Sequence, residues 1–372
     1  MTERVSDRVM NFGPGPGALP LPVLEQAQRD LVSLPGVGAS PLEVSHRGPW
    51  FRDVIAEAEA NLRSLLRVPD THRIVFCQGG ATMQFSMVPL NLLRGSELPA
   101  AFAVTGSWGE RAAAEARGVG RVRIAWSDAD QGYRRVPTAD ELLASFEEPC
   151  AYAHVTTNET IQGVGFTGGP AVPASATLIA DASSDFLSEP LDVSGIGLLY
   201  AGAQKNAGPA GVTVVLVRDD VLERIPDGLP TMLDLRTYVR HGSLYNTPPI
   251  FSIYVLMLVT RWLRDDIGGL EAVHARNRRK ADAVYAEIDA APAFYRGHAD
   301  PGARSLMNIT WRLPTEELEG AFVEDAERHG MIGLKGHRSV GGIRASLYNA
   351  VPPEHGLALA AFMRGFRDRH AD

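Results

Sequence analysis

Residues 198–217 have the sequence LLYAGAQKNAGPAGVTVVLV, and this stretch decides the fold class. Two apolar runs, Leu198–Ala203 and Gly211–Val217, predict buried strands, and a loop of small residues joins them. Lys205 lies in that loop, just past the end of the first strand. Burial disfavours the charged form of a lysine and lowers its pKa, which an amine that reacts with carbonyl groups requires. The same segment is equally compatible with a surface lysine at a strand end.

Five more short apolar runs predict strands of the same kind upstream of this stretch. They are Arg73–Cys77, Phe102–Thr105, Arg121–Ala125, Ala151–Val155 and Thr177–Asp181. Helical patterns separate several of them; Ile55, Ala58, Leu62 and Leu65, for example, recur with the spacing of one buried helix face. Strands that alternate with helices predict an α/β fold with a mainly parallel sheet covered on both faces. The carboxyl ends of such strands are where ligands bind.

The pattern changes after Pro248-Pro249, which indicates a second unit. The predicted elements are a helical stretch over about 250–290 that breaks at Gly268-Gly269, a strand Ser305–Leu313, a helix through Leu318, Phe322 and Ala326, a strand near Ile343–Leu347, and a last helix with Leu359, Phe362, Met363 and Phe366 on one face. We therefore predict a large domain with an N-terminal arm over residues 1–264 and a smaller α+β domain over residues 265–372.

Composition and charge exclude several classes of protein. The 36 Lys and Arg residues against 44 Asp and Glu residues give a net charge of −8, which repels nucleic acids and anionic membranes. Cys77 and Cys150 form no CxxC pair, as expected in a reducing compartment. Residues 1–10 lack an apolar leader, and Ile250–Val259 is shorter than the ~20 residues of a membrane span. We expect a soluble cytoplasmic protein.

Common nucleotide, metal and hydrolase signatures are also missing from the sequence. Gly13, Gly15 and Gly17 do not form GxGxxG, and the prolines between them would block the helix that this motif needs. There is no Walker A, HExxH or GxSxG motif, and the ten histidines have no metal-ligand spacing. We predict no metal site.

Three other strand ends carry groups that suit the chemistry of Lys205. Asp181 is placed to pair with a pyridinium nitrogen. The Gly79–Thr82 turn leads into a helix and exposes backbone N–H groups to a phosphate. Trp108 offers a flat face for a ring. Each one alone also fits a plainer role, as a turn-forming Asp, a glycine turn or a packing Trp, but together they predict pyridoxal phosphate as cofactor.

With these motifs in place, the chain resembles the phosphoserine aminotransferases, pyridoxal-phosphate enzymes of fold type I in aminotransferase class V. The resemblance runs from end to end of the sequence. Its motifs are Asn11-Phe-Gly-Pro-Gly-Pro, Ser45-His46-Arg47-Gly, Gly79-Gly80-Ala81, Asn158-Glu159-Thr160, Ala201-Gly-Ala-Gln204-Lys205-Asn, Tyr245-Asn246-Thr247-Pro-Pro and Lys335-Gly-His337-Arg338-Ser-Val-Gly-Gly-Ile-Arg344-Ala-Ser. The last of these is the most specific.

The resemblance implies a catalytic role for Lys205, as the lysine that binds the cofactor's aldehyde and then serves as general base and acid. It implies a set of cofactor-binding residues: Ala81, Thr82, Trp108, Thr160, Asp181, Gln204, Lys205, Asn246 and Thr247. Of these, Asn246 and Thr247 are expected to reach the cofactor phosphate of the neighbouring subunit. Thr82 stands where some members of the family have arginine, so no substrate contact is carried over to its side chain.

The resemblance also implies a substrate site. Arg344 corresponds to the residue that binds the α-carboxylate, and His337 and Arg338 to the pocket for the substrate phosphate, which His46 and Arg47 complete from the partner chain. The residues alone indicate an anion site here, because cations crowd between residues 335 and 344 of a chain with a negative net charge. A solvated basic loop fits that crowding as well.

The implied function is a homodimeric transaminase with shared active sites. It would exchange an amino group between glutamate and 3-phosphohydroxypyruvate, giving 2-oxoglutarate and O-phospho-L-serine in serine biosynthesis. The resemblance also permits 4-phosphohydroxythreonine of vitamin B6 biosynthesis. The alternatives are a serine- or alanine-glyoxylate aminotransferase and a non-catalytic protein that binds pyridoxal phosphate. A cysteine desulfurase is a poor match, because no cysteine follows Lys205.

Overall fold

The structure is a computed structural model that describes residues 8–170 and 172–370. Its strands are β1 (Met10–Asn11), β2 (His72–Gln78), β3 (Ala100–Val104), β4 (Val122–Ser127), β5 (Tyr152–Thr156), β6 (Asn158–Glu159), β7 (Val164–Gly165), β8 (Leu178–Asp181), β9 (Ile196–Gly202), β10 (Val212–Arg218), β11 (Arg296–Gly297), β12 (Asn308–Arg312), β13 (Met331–Ile332) and β14 (Ile343–Ser346). Its α-helices are α1 (Leu21–Asp30), α2 (Pro49–Leu66), α3 (Ala81–Leu92), α4 (Ser107–Arg117), α5 (Ala139–Ser145), α6 (Asp219–Glu223), α7 (Leu235–Arg240), α8 (Ile250–Arg261), α9 (Leu270–Ala290), α10 (Glu316–Arg328) and α11 (Pro353–His370). Short 3-10 turns cover Ala129–Gln131, Thr231–Leu233 and Pro301–Ala303, and a π-helical turn covers Trp262–Asp266.

The central sheet contains all seven strands predicted before residue 218. Its order is β2-β10-β9-β8-β5-β3-β4. Strand β10 runs antiparallel to both of its neighbours, and the other adjacent pairs are parallel. The predicted α/β class with a mainly parallel sheet is confirmed. Because six of the seven strands point the same way, their carboxyl ends meet at one edge of the sheet.

Both faces of this sheet are buried, as the apolar character of its strands predicts. Alternate residues along β2 divide between two cores: Ile74 and Phe76 face one, and Val75 and Cys77 face the other. Helices α2 and α8 cover the first core, and α3, α4 and α7 cover the second. Each fully buried aliphatic side chain stabilises the folded state by roughly 1.5–3 kcal/mol. With both of its faces packed in this way, the sheet is a rigid base for the loops at its edges.

Helix α2 and the long helical stretch agree with their predicted patterns, with one shift. The buried face of α2 contains Val54, Ala58, Leu62 and Leu66, while the predicted Ile55 and Leu65 are only half-buried. The predicted break at Gly268-Gly269 is present between the π-helical turn and α9. Both glycines have positive φ, of 92° and 94°, which other residues adopt with strain.

The C-terminal part has its own antiparallel sheet, in the order β11-β12-β14, which packs with helices α9, α10 and α11. Phe322 lies at the centre of that core, with its ring centroid 5.0 Å from that of Phe366 and 6.0 Å from that of Trp311. Strand β12 begins at Asn308 instead of the predicted Ser305. The reason is local: the Ser305 hydroxyl accepts the N–H groups of Met307 and Asn308, and this turn keeps residues 305–307 out of the ladder.

The N-terminal segment crosses to the C-terminal part. Strand β1 pairs in parallel with β13, and Phe12 is fully buried in the C-terminal core. The domain boundary at residues 264 and 265 stays a prediction. Among the described residues, no helix is both long and apolar enough to cross a membrane. Residues 1–7, which make up most of the stretch predicted to carry no leader, lie outside the described range.

Candidate active site

The carboxyl edge of the central sheet holds a cavity that gathers residues from five strand ends. Its lining is Gly80, Ala81, Thr82, Trp108, Thr156, Asn158, Thr160, Asp181, Ser183, Ser184, Gln204 and Lys205. Seven of the nine predicted cofactor-binding residues are in this set; Asn246 and Thr247 are not. A larger cavity of about 630 Å³ shares Asn158 with this one, but none of the predicted site residues lines it.

Lys205 follows β9, and its Nζ donates a hydrogen bond to Thr160 Oγ1 at 2.6 Å. The side chain keeps some exposed surface, and its surroundings are otherwise desolvated. This desolvation lowers the pKa of Lys205 to about 8, against the opposing effect of the carboxylates of Asp181 and Glu159. A lysine in this state supplies a neutral amine near neutral pH far more readily than a solvated one does.

Asp181 ends β8 and is buried, with one oxygen occupied and the other available. Its Oδ1 accepts the N–H of Ser183 at 3.0 Å and the hydroxyl of Ser183 at 2.6 Å. Its Oδ2 has no hydrogen bond to any residue of the described chain. Burial raises the pKa of Asp181, while Ser183 and the charge of Lys205 oppose that rise. A carboxylate in this setting is a strong acceptor for a buried cationic N–H group.

The N-terminus of α3 supplies unpaired donors on another side of the cavity. Gly79 has a φ of 89° and turns the chain out of β2, and Gly80 is the N-cap residue without a side chain to cap the helix. Within the described residues, the N–H groups of Ala81 and Thr82 have no hydrogen-bond acceptor. Free N–H groups at the positive end of a helix dipole form a suitable site for a phosphate.

Trp108 is held at the start of α4 by a buried glutamate, Glu159, that has no role in the sequence-based prediction. The Trp108 N–H donates to Glu159 Oε2 at 3.0 Å, and the N–H of Gly109 donates to Glu159 Oε1 at 2.8 Å. Gly106 makes room for this contact, since a Cβ there would lie 2.6 Å from Glu159 Cδ. Burial raises the pKa of Glu159 to about 7, and the two N–H groups lower it.

Two signals in the sequence could have pointed to these supporting residues. Glu159 follows β5 at the same sheet edge as Asp181, where carboxylates are rarely without a partner. Ser183 stands two residues after Asp181, which is the spacing at which an Asp side chain accepts a backbone N–H in a turn.

Arg344 reaches this centre from the C-terminal sheet. It is 6% exposed on β14, and its Nη1 donates to the carbonyl of Thr160, the residue that also binds Lys205, at 3.3 Å. Its Nε is buried without a hydrogen-bond partner in the described chain. Burial lowers the pKa of the guanidinium. A buried cation with an unused donor is a suitable contact for a carboxylate.

His337 and Arg338 lie near Arg344, on the loop between β13 and β14. The Nδ1 atom of His337 lies 2.7 Å from Ser339 Oγ, and Arg338 is exposed. Partial burial lowers the pKa of His337, and the charges of Arg344, Arg111 and Arg338 lower it further. These cations therefore share one neighbourhood, as predicted from their crowding in the sequence. Arg111, on α4, was not among the predicted site residues.

The four residues predicted to serve the neighbouring subunit lie in two loops of the large sheet's part of the chain. His46 and Arg47 precede α2; Arg47 is exposed, and Nε2 of His46 is buried with no partner in the described chain. Asn246 and Thr247 lie between α7 and α8, where the carbonyl of Thr247 accepts a hydrogen bond from the Gln78 side chain at 3.1 Å. None of the four lines the cavity.

Comparison with known proteins points to one family. Residues 9–355 match the family model of the class-V aminotransferases. The chain is 50% identical over 364 residues to a phosphoserine aminotransferase of Geobacillus kaustophilus, covering 98% of this chain and 99% of that protein. A solved phosphoserine aminotransferase from Bacillus circulans subsp. alkalophilus superposes with a TM-score of 0.94 at 48% identity, covering 98% and 99% of the two chains. A pyridoxal-phosphate-bound phosphoserine aminotransferase from Trichomonas vaginalis superposes with a TM-score of 0.89 at 38% identity, covering 96% and 100%.

The lowered pKa of Lys205 gives a test that needs no substrate. The chain has three lysines, Lys205, Lys280 and Lys335. In the protein without ligand, we expect labelling of Lys205 by an amine-selective reagent to rise with a midpoint near pH 8, because the neutral amine is the reactive form. Peptide mapping by mass spectrometry measures it, with the exposed Lys335 as control. Labelling of Lys205 that starts only at the pH where Lys335 is labelled would contradict the assignment.

Proposed function

Because this chain belongs to the class-V aminotransferases, we propose that it transfers an amino group between L-glutamate and 3-phosphohydroxypyruvate, giving 2-oxoglutarate and O-phospho-L-serine. This is the amino-transfer step of serine biosynthesis. The high identity to phosphoserine aminotransferases over nearly the whole chain supports the choice of substrate. The observation that carries the chemistry is the meeting of Lys205, Asp181 and the N-terminus of α3 around one cavity.

The cofactor is pyridoxal phosphate, and the residues of the cavity fit it. The unpaired N–H groups of Ala81 and Thr82 suit its phosphate, together with the amide of Gln204. The unpaired Oδ2 of Asp181 suits its ring nitrogen, and the indole of Trp108 suits its ring face. When bound, pyridoxal phosphate carries the amino group and withdraws electrons from the substrate Cα.

Lys205 is the residue that handles protons. Its Nζ would hold the aldehyde of the cofactor, and as a neutral amine it would take the proton from the substrate Cα and later return a proton as an acid. The lowered pKa, about 8, increases the neutral fraction at pH 7 by roughly two orders of magnitude over an ordinary lysine. The Thr160 hydroxyl, 2.6 Å away, orients the amine.

Asp181 and Glu159 balance the buried positive charge. Asp181 receives two hydrogen bonds from Ser183 on one oxygen, which favour its ionised form against the effect of burial and fix its direction. Glu159 holds the first turn of α4, and so keeps the Trp108 ring at the cavity wall; the Lys205 Nζ lies 5.5 Å from the centroid of that ring. These supports pre-organise the site before any substrate binds.

The two anionic groups of the substrate are bound by different residues. Arg344, buried and with a free Nε, binds the α-carboxylate that every amino-acid substrate has. His337 and Arg338 bind the phosphate of the phosphorylated substrate. The same pocket would admit 4-phosphohydroxythreonine, the related substrate of vitamin B6 biosynthesis.

We also propose that the enzyme is a homodimer in the cytoplasm. The partner subunit's His46 and Arg47 complete the phosphate pocket, and the partner subunit's Asn246 and Thr247 reach the cofactor phosphate. This is supported by the absence of all four from the lining of their own cavity and by the exposed Arg47 side chain. The two cysteines, Cys77 and Cys150, form no disulfide, which suits a reducing compartment.

The reaction itself is tested by adding substrates in turn to the cofactor-bound protein. Glutamate should change the visible spectrum in one half-reaction, and 3-phosphohydroxypyruvate should restore it, with O-phosphoserine as product. Lys205→Ala should turn over at least ~10³-fold more slowly, since the general base is lost. Absorbance and mass spectrometry are the measurements. If the wild-type enzyme used glyoxylate with the same efficiency as the phosphorylated acid, the glyoxylate-type alternative would be favoured. The vitamin B6 substrate is tested by adding 4-phosphohydroxythreonine as amino donor, in the reverse direction of the reaction.

Substitution of Arg338 and substitution of Arg344 should affect the activity towards different sets of substrates. Arg338→Ala should impair 3-phosphohydroxypyruvate far more than hydroxypyruvate, whereas Arg344→Ala should impair both, because both acids carry the α-carboxylate. Losing a charge-assisted contact to a desolvated anion costs about 2–5 kcal/mol. The ratio of kcat/KM values for the two acids measures the effect. Equal losses with Arg338→Ala would contradict its place in the phosphate pocket.

The shared site is tested by mixing two inactive proteins, Lys205→Ala and Arg47→Ala. In a mixed dimer one site carries both substitutions and the other carries neither, if Arg47 serves the partner's site. Half of the dimers are mixed after exchange and half of their sites are intact, so about one quarter of wild-type activity should return. Native mass spectrometry confirms the exchange. No activity above the sum of the parents would place Arg47 in the site of its own chain.

A further inference from the structure

Arg111 is an arginine of the site region that no carboxylate neutralises in the described chain. It lies three residues after Trp108 on α4, and its guanidinium carbon is 4.8 Å from the centroid of the Trp108 ring. Its side chain is exposed and forms no hydrogen bond or ion pair with the described residues. Arg73, by comparison, is a surface arginine that pairs with the carboxylate of Asp219 in bidentate geometry.

Arg111 is one of three arginines whose positive charges act on His337. The charged groups that act on His337 are Arg344, Arg111 and Arg338, and no carboxylate is among them. Like charges repel, so an anion bound near these three guanidinium groups would be stabilised by all of them. The net charge of −8 makes this local excess of positive charge more notable, because a random surface of this chain would be acidic.

The stacked position of Arg111 suits anion binding. A guanidinium that lies over an aromatic face loses conformational freedom without using its N–H donors, which point outward in its plane. Trp108 lines the cavity that contains Lys205, so its ring holds Arg111 next to that cavity and leaves the Arg111 donors free. A side chain fixed in this way binds a phosphate or carboxylate with a smaller entropy cost than a mobile one.

We propose that Arg111 is a substrate-binding residue that contacts the distal anionic group of the substrate, the phosphate of the phosphorylated acid or the side-chain carboxylate of glutamate. The proposal rests on the proposed function, since it takes the α-carboxylate to be bound by Arg344. Arg111 then recognises the end of the substrate opposite to the reacting carbon, from the side of the Trp108 ring. It acts on specificity and takes no part in proton transfer.

The test uses the cofactor-bound enzyme with Arg111→Gln, and Arg117→Gln as the matched control. Arg117 lies on the same helix, is exposed, and has no side-chain partner in the described chain, so its substitution removes the same charge away from the site. For Arg111→Gln we expect kcat/KM for 3-phosphohydroxypyruvate to fall about 10- to 100-fold, the range for a lost charge-assisted contact. Competitive inhibition by inorganic phosphate should weaken by a similar factor. Hydroxypyruvate should be affected about threefold or less, and Arg111→Lys should recover part of the loss.

The other outcomes also decide the matter. A selective loss on glutamate, with the phosphorylated acid unaffected, would support the distal-anion role and assign it to the carboxylate. Equal losses on hydroxypyruvate and 3-phosphohydroxypyruvate, or an effect matched by Arg117→Gln, would overturn the proposal. An unchanged visible spectrum of the bound cofactor shows that Trp108 has kept its place. Failure of the proposed function would be detected separately: the wild-type enzyme would then show no preference for 3-phosphohydroxypyruvate over hydroxypyruvate.

Discussion

The common direction of six strands in the central sheet is the constraint on which the rest of the site depends. Parallel strands bring their carboxyl ends to one edge, so residues far apart in the chain, such as Trp108, Asp181 and Lys205, line one cavity. The strands are mostly apolar, and the polar side chains that they bury bond to each other, as His154 and Tyr200 do at 2.8 Å. The functional groups of the central sheet lie where a strand stops and the chain can turn out of the core, whereas Arg344 lies within β14 of the C-terminal sheet.

Burial of charge is the cost of this arrangement, and the surrounding residues offset it in pairs. The cation of Lys205 lies near the carboxylates of Asp181 and Glu159, which oppose the fall of its pKa. Each carboxylate is in turn held by donors: Ser183 for Asp181, and the first N–H groups of α4 for Glu159. A carboxylate at a helix N-terminus is stabilised by the helix dipole as well as by hydrogen bonds. The site is thus electrostatically balanced yet keeps free donors and acceptors.

A buried polar network ties the C-terminal part to this edge of the sheet. Asn206, next to Lys205, accepts the N–H of Asn349 at 2.9 Å, and Asn349 in turn accepts a hydrogen bond from Asn277 of α9 at 2.8 Å. Lys280 is fully buried on the same helix and donates to three carbonyls between residues 347 and 351. These bonds fix the segment that follows β14, the strand that carries Arg344. Satisfied polar networks of this kind define a unique packing more sharply than apolar contacts do.

Local sequence patterns by themselves determined much of this protein. The seven strands of the large sheet, the break at Gly268-Gly269 and the turn at Gly79-Gly80 follow from apolar runs and glycine positions, which are properties of neighbouring residues. The motif around Lys205 and its position after an apolar strand indicated the cofactor, and the family resemblance indicated the substrate. Only the tertiary structure decided that Glu159 holds the first turn of α4 and that Arg111 joins the cations around His337. Glu159 and Trp108 are 51 residues apart in the chain. Hydrogen bonds and charge interactions act through space. Two partners on different elements therefore have no fixed separation in the sequence, and no local pattern identifies them.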